Sequence, residues 1–156
     1  MTVAAQAGRI PGVTAIDHIA YNVPHLDEAI AFFVAALGCR MLSISTPRPF
    51  QDHADSSVVA ALLRYDDRLT IELLEFHLPG QNTRQPALTD TSGYHLALAV
   101  RDIDAAVNHL HALPGVQVGP VDAAPDGRRR VFFRTPWGMP MQLLTSLESG
   151  GRAAGQ

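Results

Sequence analysis

Two stretches of this chain repeat one another, and the repeat constrains the architecture before any single residue is interpreted. Ile16-Asp17-His18-Ile19-Ala20-Tyr21-Asn22-Val23 returns as Gly93-Tyr94-His95-Leu96-Ala97-Leu98-Ala99-Val100, and the two histidines align at a shift of 77 positions. The same shift carries Leu26 onto Ile103, Asp27 onto Asp104, Ala29 onto Ala106, Ile30 onto Val107 and Gly38 onto Gly115. At a shift of 70, Ile71-Glu72-Leu73-Leu74 falls on Met141-Gln142-Leu143-Leu144. A repeat unit of this length is one supersecondary structure that buries its apolar face against a second copy of itself.

Each unit has the same order of periodicities. Residues 14–23 alternate and predict a strand, with His18, Ala20 and Asn22 on one face and Ile19, Tyr21 and Val23 on the other. From Leu26 the period lengthens: Leu26, Ala29, Ile30, Phe33 and Leu37 form one helical stripe, Asp27 and Glu28 sit in the first turn, and Gly38 follows the end. Strand-like runs follow at 40–45, 58–65 and 69–76, with Asp66-Asp67 as a turn and the polar stretch 46–57 as a long loop. The second unit repeats this with a strand at 94–100, a helix from Ile103 to about Leu113 capped by Asp102, and strands near Val116, at 129–134 and at 139–145. The expected fold class is α+β: two tandem βαβββ modules forming a curved mixed-sheet cup, with the helices on its outer face. The expected organisation is a flexible arm (1–13), one domain (14–147) and a flexible tail (148–156). Within the domain, module one spans 14–77, the linker 78–92 and module two 93–147.

Composition excludes several chemistries. No lysine occurs among the 156 residues, which removes Schiff-base and lysine general-base mechanisms and suggests a GC-rich bacterial genome. A single cysteine, Cys39, permits no intrachain disulfide and no multi-cysteine zinc site, and it reads as a small buried residue after the helix. The formal net charge is −3, and Arg128-Arg129-Arg130 is the one cationic run, so nucleic-acid binding is not expected. No charged leader with an apolar core opens the sequence, and no apolar run approaches the ~20 residues of a membrane span. The expectation is a cytoplasmic protein with no membrane partner.

Strand parity then gathers four polar side chains. Glu72 shares a face with Leu74, away from Ile71 and Leu73; Gln142 does the same against Met141 and Leu143. His18, Glu72, His95 and Gln142 are therefore expected on the concave face, beside the small Ala20, Ala97 and Ala99. Two imidazoles, a carboxylate and an amide form a donor set suited to Fe(II), Mn, Co, Ni or Zn, with positions left for water or substrate.

Together these anchors resemble the vicinal oxygen chelate superfamily, which includes glyoxalase I, extradiol dioxygenases and bleomycin-binding proteins. The resemblance runs from about Val13 to Ser146. It is carried by Ile16-Asp17-His18-Ile19, Leu26-Asp27-Glu28-Ala29, Phe32-Phe33, Leu37-Gly38, Ile71-Glu72-Leu73-Leu74-Glu75, His95 to Val100, and Thr135-Pro136-Trp137-Gly138 before Gln142. It implies that His18, Glu72 and His95 are metal ligands and that Gln142 stands where relatives usually carry glutamate. A glutamine offers its carbonyl oxygen to a metal but abstracts no proton. Candidate acid–base residues are therefore sought elsewhere, at His53 and at Glu75. Arg64, Arg130 and Arg134 are candidates to hold a small-molecule substrate. The resemblance also implies a homodimer.

Three functions compete. A divalent-metal-dependent lyase or isomerase acts on vicinal oxygens through enolate-like chemistry. An Fe(II) dioxygenase uses two histidines and one carboxylate. A non-catalytic small-molecule binder or antibiotic-resistance protein uses the same cup. The metal-ligand pattern favours an enzyme over a binder, and because the extradiol enzymes of the resembled superfamily commonly carry two such domains where this chain has one, the lyase or isomerase stands ahead of the dioxygenase.

Overall fold

The computed structural model describes residues 12–50, 53–67 and 69–147, with residues 53 and 54 described by their backbone alone. The expected tail and all but the end of the expected arm lie outside the described residues, as does Asp52 of the expected loop.

The first module consists of β1 (Ile19–Asn22), α1 (Leu26–Leu37), β2 (Arg40–Ile44), β3 (Arg48–Phe50), β4 (His53–Arg64) and β5 (Thr70–His77). The second consists of β6 (Leu96–Val100), α2 (Ile103–His111), β7 (Gln117–Ala123), β8 (Arg129–Arg134) and β9 (Pro140–Thr145). Two open mixed sheets result, ordered β1-β5-β4-β2 with β3 beside β4, and β6-β9-β8-β7. The first strand of each module runs parallel to its last, which requires the crossover that each helix supplies. The registers match as well: Ala20 lies opposite Glu72, and Ala97 lies opposite Gln142.

Three expectations change. The first strand begins at Ile19, so residues 14–18 precede it and His18 stands at its entry. The stretch 46–57 is not one loop, because β3 pairs with the start of β4 as a hairpin. Its polar composition concealed two local anchors. Ser56 Oγ accepts from Phe50 N–H at 3.0 Å, and the Phe50 ring meets Phe76 edge-on at 5.0 Å. The second helix stops at His111, and Leu113 N–H bonds to Leu110 C=O in a closing turn.

Helix burial follows the pattern of apolar spacing. Leu26, Ala29, Phe32 and Phe33 are the buried residues of α1, and Ile103 and Leu110 those of α2. They cover Ile71, Leu73, Leu63 and Ala61 in one sheet and Val131, Phe133, Met141 and Leu143 in the other, all within one core cluster. Aromatic contacts join the modules: Trp137 meets Phe32 edge-on at 5.5 Å, and Tyr21 stacks on Tyr94 at 5.7 Å. Phe32, at 6% exposed, contributes roughly 1.5–3 kcal/mol by leaving water. Cys39 lies in this core as expected, and burial pushes its thiol pKa up to about 11, which leaves it protonated and inert at neutral pH.

The helix starts differ. Asp102 caps α2 locally, accepting from Asp104 and Ala105 N–H, each at 3.0 Å. At the same place α1 has His25, whose side chain makes no capping bond. Glu75 of β5 substitutes from across the sheet, where Oε2 accepts from Leu26 N–H at 2.6 Å. Both α1 and its cap are thus built from sequence positions 49 apart.

Candidate metal and substrate site

The face of each sheet turned away from the helices carries the expected polar residues. Cross-strand partners share a face, so Glu72 stands with Ala20 and Leu62, and Gln142 with Ala97 and Phe132. Ile71 and Leu73, on either side of Glu72, are at most 1% exposed against the helix, which fixes that strand's orientation. A one-residue slip would move the carboxylate into the core.

His18 and Glu72 come together. His18 Nε2 lies 3.4 Å from Glu72 Oε2, and His18 Nδ1 lies 2.7 Å from Asp17 Oδ1. The Asp17 hydrogen bond raises the His18 pKa above its ordinary value, Glu72 adds to that, and desolvation opposes both. In the tautomer that donates Nδ1–H to Asp17, Nε2 is free to bind a metal beside Glu72. In the second module His95 is exposed, and its ring packs edge-on against Phe132 at 5.3 Å. Gln142 is 7% exposed.

Ala20, Asn22, Tyr94 and His95 line one cavity of about 500 Å³ between β1 and β6. Among the described residues, no three His, Cys, Asp or Glu side chains converge to a metal-binding distance. The structure therefore brings His18 to Glu72, and does not bring His95, which lines that cavity, within metal-binding reach of them. A separate cavity of about 560 Å³ lies around His25, Glu28, Arg84 and Trp137, and none of the four expected ligands lines it.

The other candidates divide by face. Arg64, two residues from Leu62 on β4, shares the concave face with Glu72. Arg130 and Arg134 share it with Gln142 by the register of β8 and β9. Arg134 Nη1 donates to the Gly138 carbonyl at 2.8 Å across the turn 135–138, where Gly138 takes a φ of 90°. Arg130 pairs with Asp122, and that contact raises the arginine pKa and lowers the aspartate pKa. Asp122 had no marker in the sequence. Glu75 shares the parity of Ile71 and Leu73 and so faces the helix. Its carboxylate binds Leu26 N–H through Oε2 and His77 Nε2 through Oε1, at 2.7 Å for the latter. The geometry does not bring Glu75 to His18 and Glu72. His53 opens β4 opposite Phe50, and its side chain lies outside the described residues. His109 and His111 are exposed on α2, with His109 Nε2 at 3.3 Å from the Ala35 carbonyl of α1.

Comparison with known proteins places these features in a family. The sequence profile described as "Glyoxalase/Bleomycin resistance protein/Dioxygenase superfamily" matches residues 15–143. The chain is 36% identical over 148 residues to 2-epi-5-epi-valiolone epimerase from Actinomyces sp, spanning 86% of this chain and 81% of that one. Among solved structures, a glyoxalase family protein from Bacillus cereus superposes with a TM-score of 0.70 at 21% identity, covering 92% of this chain and 99% of the other. The fosfomycin resistance protein FosX from Listeria monocytogenes superposes with a TM-score of 0.60 at 16% identity, covering 86% and 93%. The structural likenesses speak to the fold.

Proposed function

The chain belongs to the glyoxalase/bleomycin resistance protein/dioxygenase superfamily, and from that premise we propose that it is a divalent-metal-dependent isomerase, an epimerase of a small hydroxylated ketone. The observation that carries this reading is the His18–Glu72 pair on the concave face, in a chain 36% identical to an epimerase. His18 Nε2, Glu72, His95 and the Gln142 carbonyl are the proposed donors, and nitrogen and oxygen donors in that mix fit Fe(II), Mn, Co, Ni or Zn. A bound divalent ion in such a site supplies Lewis-acid polarisation of a carbonyl oxygen.

The protein's own side chains do the rest. Asp17 fixes the His18 ring, and Glu72 and Gln142 bring one negative charge between them, so a divalent ion held there would keep a net positive charge. Ala20, Ala97 and Ala99 leave room for the substrate carbons beside the donors. Gln142 holds a position but carries no proton away, and both Glu75 oxygens are engaged, one by Leu26 N–H at the start of α1 and the other by His77. His53 is therefore the proposed acid–base residue, an imidazole suited to taking and returning a proton near neutral pH. Arg64, Arg130 and Arg134 are the proposed substrate-holding cations. Met41, Leu42 and Ile44 of β2, between 40% and 50% exposed, are the surface proposed to be covered in a homodimer.

The test is isotopic. Metal-replete protein incubated with 2-epi-5-epi-valiolone in D₂O is expected to yield an epimer carrying solvent deuterium beside the carbonyl, and Glu72→Ala to yield none. Epimer formed at the same rate by Glu72→Ala would overturn the reading. The two-histidine, one-carboxylate set also fits an Fe(II) dioxygenase, and oxygen consumption by the iron-loaded protein separates the two.

A further inference from the structure

The concave face of the second module carries side chains that the first module lacks. Asp122 of β7 stands directly opposite Arg130 of β8, and Phe132 stands opposite Gln142. Arg130 Nε donates to Asp122 Oδ1 at 2.7 Å and Nη2 donates to Oδ2 at 3.3 Å, which leaves Nη1 without a partner among the described residues. The guanidinium carbon lies 5.8 Å from the centre of the Phe132 ring, whose other neighbour is the His95 ring. One aromatic side chain therefore holds a histidine and an arginine on the same face. Phe132 itself also lines a cavity of about 310 Å³, together with Gln117, Arg134 and Pro140. The repeat places Ala60 and Leu62 where Arg130 and Phe132 stand, so the first module offers no such group.

We propose that Arg130 and Asp122 act together to select an uncharged, hydroxyl-rich substrate, taking a pair of its hydroxyl groups while its carbonyl end lies toward His95. The proposal rests on the isomerase reading above and narrows its substrate. Nη1 donates to one hydroxyl oxygen, and the Asp122 carboxylate accepts the proton of the next, so a vicinal diol satisfies both at once. The charge balance sets the selectivity. An unpaired arginine favours a phosphate, but here the guanidinium is already compensated, and the same carboxylate repels an anion that approaches Nη1. Arg130 is the specificity-determining residue, and Asp122 positions it and excludes anions.

Titration calorimetry of the metal-replete protein tests this with two probes, 2-keto-myo-inositol and a monophosphate ester of the same cyclitol. The neutral ketone is expected to bind at least about tenfold tighter than the ester, and Arg130→Met to weaken it about tenfold, the loss of one charged hydrogen bond, without changing metal content. Asp122→Asn is expected to reverse the preference by strengthening binding of the ester. Both substitutions are on an exposed pair, and an unchanged thermal midpoint verifies that each variant is folded. A wild type that prefers the ester, or an Asp122→Asn variant with an unchanged ratio, overturns this proposal alone. Binding of neither probe overturns it together with the isomerase reading.

Discussion

The two modules share a backbone plan and differ in what they place on it. The first pairs an imidazole with a carboxylate on its concave face, His18 with Glu72 at 3.4 Å. The second replaces that carboxylate with Gln142 and carries three arginine–aspartate pairs, Arg128–Asp126, Arg129–Asp104 and Arg130–Asp122. The helix starts divide the same way, with a distant Glu75 serving α1 and a local Asp102 serving α2. The edges do too. β7 carries Pro120 and a register shift between Val118 and Val121, whereas β2 presents Met41, Leu42 and Ile44 to solvent. Duplication conserved the parallel β1–β5 and β6–β9 register because a slip exposes the core face of each strand. The residues on the opposite face were free to diverge, to Glu72 beside Leu62 in one module and to Gln142 beside Phe132 in the other.

The difference can be broken most sharply at the matched pair Glu72 and Gln142. Glu72→Ala is expected to lower metal affinity and turnover by more than about a hundredfold, since even residues that only support metal ligands cost 10–100-fold. Gln142→Ala is expected to lower metal affinity by about tenfold. Elemental analysis of protein purified without chelator, alongside an epimerisation assay, reads both. Equal losses at the two positions would show that the halves are not specialised.

Packing gives the next effect. Phe33 is 0% exposed and its counterpart under the repeat, Leu110, is 4% exposed. Phe33→Ala is expected to cost about 3–5 kcal/mol and Leu110→Ala about 2–5 kcal/mol, read by denaturant midpoints. The cap comparison is smaller. Asp102→Ala is expected to cost about 1 kcal/mol. Glu75→Ala is expected to cost at least as much, because it frees the Leu26 N–H and removes the His77 contact together.

The smallest expected effect is the response to acid. The hydrogen bond from Arg129 lowers the Asp104 pKa below its ordinary 3.8, and Arg130 does the same for Asp122. A depressed folded-state pKa adds stability that is full above the ordinary value and lost as pH falls through the folded one. Stability should therefore decline slightly more below about pH 4 in the wild type than in Asp104→Asn, a difference that added salt should erase.

How much of this the sequence carried depends on the range of the signal. The repeat and the strand parity placed Glu72, Gln142 and their alternating neighbours, because a period of two is a local property of the chain. Helix α1 and its end at Gly38 were readable for the same reason, through apolar spacing and a glycine whose φ is 68°. The β3–β4 hairpin was not, since its anchors are a serine bonded six residues away and a ring pair between Phe50 and Phe76. Glu75 read as a candidate acid–base residue because its role as a cap depends on a contact 49 positions distant. Asp122 went unremarked until the register set it opposite Arg130. Nor does strand parity fix the gap between β1 and β6, which sets how closely His95 approaches His18.

That approach is where the account is most directly tested. Crystals grown with excess Mn, Co or Zn and measured at the metal's absorption edge are expected to show one anomalous peak. It should lie about 2.0–2.2 Å from His18 Nε2, from a Glu72 oxygen and from a His95 ring nitrogen, with the Gln142 oxygen completing the set. A peak on His18 and Glu72 alone, with His95 still packed away against Phe132, or no peak between the modules, would contradict it.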